Sequence, residues 1–188
     1  LDSFDAYVVW LAERDFTYPW SHVDQIQQSS VFINMLPLEE RQPFIDAKFT
    51  YLNAMQNLET GLWGDGINYH TVSGAFKVFN AFIGYGITPT HQDKMLQSLE
   101  TLYNSDYRPD VIHFVRNAVT LLRMIWTISP SLRQSVQELI LDNIDYIIGD
   151  MEQFLCPDGG FSMRPRQSML NFGGVRGSHG LWEGDVDS

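Results

Sequence analysis

The sequence predicts an all-α protein made of antiparallel helical hairpins. Three observations carry this: apolar residues recur at i, i+3/i+4 over most of the chain, strand signals are almost absent, and Gly- or Pro-marked turns separate the periodic stretches. Helices are predicted over 2–15, 22–35, 38–57, 70–84 and 91–104, with Gly84 and Gly86 ending one and Thr90 capping the next. Val111, Phe114, Val115, Ala118, Leu121, Leu122, Ile125 and Trp126 make the stripe of a further helix. A last long helix is predicted to start at Ser129 as cap, with Pro130 in its first turn. Its stripe is Val136, Leu139, Ile140, Ile144, Ile147, Ile148 and Met151.

The connections alternate in length. Short turns at 87–90 and 127–130 suit hairpins, whereas 58–68 and 156–184 are long and rich in glycine and aromatics. Long links of this kind in small domains are usually functional or mobile.

The 188 residues carry 12 Lys+Arg against 23 Asp+Glu, a net charge of −11, and 44% are hydrophobic. This fits one globular domain over 1–188 with a real core. The acidic balance repels phosphate backbones, so no nucleic-acid partner is expected. Cys156 is the single cysteine, which excludes an internal disulfide and a Cys-rich zinc site. It has no basic neighbour to activate it as a nucleophile. No apolar run reaches the ~18 residues of a membrane span, no signal peptide is visible, and a cytoplasmic location without a membrane partner is expected. No phosphate loop, serine elbow or dinucleotide fingerprint is present, so no cofactor is expected.

One short motif echoes along the chain. Gly61-Leu62-Trp63-Gly64-Asp65-Gly66 is followed by Pro157-Asp158-Gly159-Gly160-Phe161-Ser162 and by Gly180-Leu181-Trp182-Glu183-Gly184-Asp185. The first two align 93 residues apart when Asp65 is set on Asp158. In each, glycine permits a tight turn, an aromatic fills the gap between hairpins, and Asp can cap a following helix.

Helical hairpins joined by such aromatic-Gly-Asp turns resemble an α/α toroid, the ring shared by terpenoid cyclases, protein prenyltransferases and many carbohydrate-active enzymes. Gly61 to Gly86, Phe154 to Ser162 and Leu181 to Ser188 also resemble an uncharacterised bacterial α/α-toroid family. In that family a Gly-Leu-Trp-Gly turn precedes a helix, and Pro-Asp-Gly-(Gly/Ser)-Phe-Ser is followed by Glu-Gly-Asp-Val-(Asp/Asn). The resemblance covers about two thirds of the chain through short motifs, and it implies a fold rather than a reaction. A full six-hairpin ring needs a longer chain, so a partial arc, a fragment of a longer toroid, is expected.

The acidic candidates are Asp65, Asp158, Glu183, Asp185 and Asp187. Two carboxylates on one cavity could divide general-acid and general-base roles in glycoside hydrolysis. Asp65 and Asp158 also suit helix capping or turn bracing, and the last three could together bind a divalent cation through oxygen, though their spacing matches no known loop. Asp185-Val186-Asp187-Ser188 is similar to the Asp-x-Asp-Asp acid motif of class II terpene cyclases. That resemblance implies Asp187 as proton donor, with Ser188 departing from the pattern.

The loop from Gly159 to Trp182 holds Arg164, Arg166, Arg176 and His179 and no acid. Guanidinium groups suit carboxylate, sulfate or phosphate, so a uronic acid, a sulfated sugar or a pyrophosphate would fit; pairing with the protein's own acidic surface would fit as well. Polysaccharide lyases on the toroid architecture imply Arg176 as neutraliser of a uronate and His179 or Tyr69 as base. Trp63, His70, Arg164, Arg176 and Trp182 are the expected ligand contacts, with Tyr69, Phe161 and Phe172 as further loop aromatics. The sequence thus points to a carbohydrate-active or carbohydrate-binding protein for a small-molecule or oligosaccharide ligand. A cyclase-like protein and a helical scaffold are the alternatives, and the oligomeric state is open.

Overall fold

The computed structural model describes residues 3–17, 19–172 and 174–185, without the side chains of Trp20 and Phe172. The helices are α1 (Phe4–Ala12), α2 (Pro19–Met35), α3 (Leu38–Ala54), α4 (Tyr69–Gly84), α5 (Gln92–Tyr103), α6 (Ile112–Ile128), α7 (Arg133–Asp142) and α8 (Ile144–Glu152). A 3-10 turn, Pro130–Leu132, leads into α7. The all-α class is therefore observed. The only β pairing between named strands among the described residues is a short antiparallel ribbon, β1 (Asn171–Phe172) with β2 (Val175–Arg176).

The ends follow local chemistry. Ser3 Oγ accepts from the Ala6 amide to cap α1, and Pro19 opens α2 in the first turn, where its missing N–H costs nothing. Asn68 caps α4 in a reciprocal box with Thr71: Asn68 Oδ1 accepts from the Thr71 amide and Thr71 Oγ1 from the Asn68 amide, both at 3.1 Å. Asp65, expected as a possible cap, leaves that task to Asn68.

Packing centres on α4, which lies against α2 and α6, while α1 packs on α3 and α6 takes α7 and α8. Its sides are buried nearly all round, from Tyr69 and Val72 to Phe79 and Phe82, as a central helix requires. Each such side chain stabilises by about 1.5–3 kcal/mol when fully buried. Gly74 makes the approach to α2 possible, because a Cβ there would lie 2.7 Å from Pro19 Cβ.

Three local expectations are corrected. Thr90 does not cap α5; its hydroxyl donates to Gln56 Oε1 at 2.6 Å, and His91 precedes the helix in the left-handed region at φ 53°. The long last helix is broken at Asn143, whose side-chain amide donates to Leu139 O at 2.9 Å and competes with helix continuation. The break turns the stripe, so Val136, Leu139 and Ile147 are buried whereas Ile144, Ile148 and Met151 are exposed. Trp126 leaves the α6 core face, with the Arg133 guanidinium 4.9 Å above its ring.

Candidate functional site

The links that precede α2, α4 and α6 carry the groups of interest. Gly64 and Gly66 take φ +102° and +73°, and a Cβ on Gly64 would meet Phe16 O at 2.8 Å. Glycine therefore lets this turn close onto the link before α2 and sets Asp65 beside Thr17. The two residues line both a groove of about 550 Å³ and a smaller one of about 320 Å³.

The larger groove is built from Thr17, from Pro19 and Ser21 in the first turn of α2, and from Asp65. The cap and first turn of α4 add Asn68, His70 and Thr71, and Tyr107 comes from the link before α6. The Asp65 carboxylate accepts no hydrogen bond from any described residue; the one bond at Asp65 is from Asn68 Nδ2 to its backbone oxygen. His70 rests edge-on against Phe114 at 4.6 Å, and its ring nitrogens have no hydrogen-bond partner among the described residues. The Tyr107 hydroxyl likewise has none. These groups are exposed and free to meet a ligand, and the groove volume falls in the range of small-ligand sites.

The other predicted residues are occupied. Trp63 is fully buried, with its indole donating to Leu52 O at 2.7 Å, so it is a core residue and offers no face to a ligand. Tyr69 is also fully buried and donates to Asp150 Oδ2 at 2.9 Å. Burial, first of all, pushes its hydroxyl far above the ordinary tyrosine range, with Asp150 adding to the rise, and this disqualifies Tyr69 as a ready base. Asp158 accepts from the Gly160 amide at Oδ1 and the Gly184 amide at Oδ2, both at 3.0 Å; these bonds, Gly184's the larger, hold its carboxyl below the ordinary range. Asp185 Oδ2 accepts from the Met163 and Met169 amides, both at 2.9 Å. Glu183 accepts from Ser168 Oγ at 3.3 Å, and Asp187 lies outside the described residues.

The basic residues are engaged too. Arg164 stands 3.7 Å from Asp110 and lines a separate groove of about 410 Å³ with His113. Arg176 Nε donates to Ser178 O at 3.2 Å, and its other nitrogen meets His179 Nδ1 at 3.2 Å, so these two candidates do lie together. Trp182 donates to Leu155 O at 3.2 Å beneath the Arg166 guanidinium, 5.3 Å from its ring. Phe161 packs against the core. Among the described residues no three His, Cys, Asp or Glu side chains gather as a ligand set for a metal, and no helix is long and apolar enough to cross a membrane.

Of the predicted residues, then, Asp65 and His70 share the larger groove, while Asp158, Glu183 and Asp185 tie the last loop. Tyr107, Asp150 and Arg108 were not anticipated. Arg108 sits 3.8 Å from Asp150 and 4.1 Å above the Tyr146 ring, and Tyr146 donates to Tyr107 O at 2.7 Å, which pins the groove wall to α8. No protein-family model matches the chain, and no curated protein or solved structure does so either.

Proposed function

We propose that the protein is a carbohydrate-handling arc of an α/α toroid whose ligand lies in the groove at the starts of α2 and α4. The packing of α4 against α2 and α6, and of α1 against α3, supports the arc, because alternate helices of a toroid form one layer. The observation that carries the ligand reading is the free Asp65 carboxylate facing the same groove as His70 and the Tyr107 ring. A carboxylate and an imidazole supply the acceptor and donor that sugar hydroxyls need, and an exposed tyrosine supplies a stacking face. A catalytic role for the groove makes Asp65 and His70 the acid–base pair, since no second carboxylate is among the described residues that line it.

A calorimetric and thermal-shift panel of neutral, acidic and amino oligosaccharides tests this. Ligand at ~100 times its dissociation constant stabilises by about 2.7 kcal/mol, and Asp65→Asn should remove the shift without lowering the melt of the free protein. A helical scaffold is the second reading, favoured by the complete engagement of Asp158, Asp185, Trp63 and Tyr69. Silence across the panel supports it.

A further inference from the structure

Resting on the carbohydrate reading, we infer that the groove selects sugars carrying a protonated amine. Among the described residues that line it, Asp65 is the only Asp, Glu, Lys or Arg, and its carboxylate accepts no hydrogen bond from any described residue. A uronate would meet this carboxylate with His70 as the one basic side chain among the described lining residues and with no guanidinium or ammonium to offset the repulsion. The arginines that the sequence offers for an acidic ligand are elsewhere: Arg164 faces Asp110 across another groove, and Arg176 binds Ser178 O and His179. An ammonium group gains from the same geometry. It can donate to Asp65 and rest against the face of Tyr107, an exposed residue. Asp15 lies one step behind the groove, accepting from the Thr17 amide at 3.0 Å with His22 beside it at 3.2 Å, and adds negative potential from the link before α2. The net charge of −11 draws cationic ligands toward the whole surface.

The test compares three oligosaccharides of equal length at neutral pH: a fully N-deacetylated glucosamine oligomer, its N-acetylated counterpart and an oligogalacturonate. The amine form should bind at least about tenfold tighter than the acetylated form. Asp65→Asn should collapse that ratio toward one, whereas Asp93→Asn, which lines a different groove, should preserve it. Equal binding of the amine and acetylated forms, or tightest binding of the uronate, overturns the amine inference and leaves the carbohydrate reading standing. A preference that survives in Asp65→Asn also overturns it, because the general surface charge then explains the binding. Failure of all three sugars to bind overturns the carbohydrate reading itself.

Discussion

Tyr69 donates its hydroxyl hydrogen to Asp150 Oδ2 at 2.9 Å, joining the first residue of α4 to the buried face of α8. Tyr69→Phe removes this donor from a carboxylate that stays buried. The expected cost is about 1–3 kcal/mol in urea unfolding. Asp150→Asn should cost less, because an amide oxygen still accepts from Tyr69, and the double variant should be non-additive. Additive losses would show that the two side chains do not act as a pair.

Lys48 gives a pH dependence of fixed sign. It is fully buried on α3, donating to Ser30 Oγ at 2.6 Å with the Tyr85 ring 5.7 Å away, and burial pushes its amine down to about 7 from 10.5. Between those values the unfolded chain binds a proton that the folded chain does not, so stability rises with pH. The slope should approach about 1.4 kcal/mol per pH unit and vanish in Lys48→Met. Above about pH 10 the sign reverses. There Tyr7, pushed up to about 12 by burial, and the still higher Tyr69 and Tyr103 keep protons that the unfolded chain loses. Urea midpoints at about pH 7.5 and 9.5 check this, and equal midpoints for the parent protein would refute it.

The helices were legible because their periodicity answers to a core that is mostly apolar. Asp150 and Lys48 were not read, because a charged residue on a buried face breaks the apolar stripe: Asp150 stands three residues after Ile147 and Lys48 four before Leu52. The Asn68–Thr71 box stands in the sequence as Asn-x-x-Thr at the head of α4, but Asp65 was read as the capping residue in its place. The roles of Asp158 and Asp185 were not legible, because their partners are backbone amides as far as 26 residues away. Nor was the register of the repeated motif. Backbone pairing joins Gln56 with Trp63 and Leu155 with Phe161, so Trp63 corresponds to Phe161 although the motif alignment sets Asp65 on Asp158. Tyr107 sits in an unpatterned link, and only the fold brings it to the groove.

Asp158 and Asp65 should separate in their effects. Asp158→Ala frees the Gly160 and Gly184 amides that this exposed carboxylate holds together. The segment 157–185 should then be cut several-fold faster by a protease under native conditions, with little change in the melt. Asp65→Asn should leave cleavage unchanged and act on ligand binding alone. Faster cleavage in Asp65→Asn would mean that Asp65 also braces its turn.

The contact of α4 with α2 sets one wall of the groove, and two glycines on the same helix test it. At Gly74 an added methyl lies 2.7 Å from Pro19 Cβ, whereas at Gly84 it meets nothing within 4 Å. Gly74→Ala should cost about 1–3 kcal/mol as the helices part, and should weaken ligand binding because Pro19 lines the groove beside His70. Gly84→Ala should be neutral or stabilise by up to about 1 kcal/mol, since alanine is the better helix former. Chemical denaturation of both variants reads the difference directly. Equal midpoints would mean that α2 yields easily to the extra methyl, and the groove would then owe its shape to its links instead of to this helix pair.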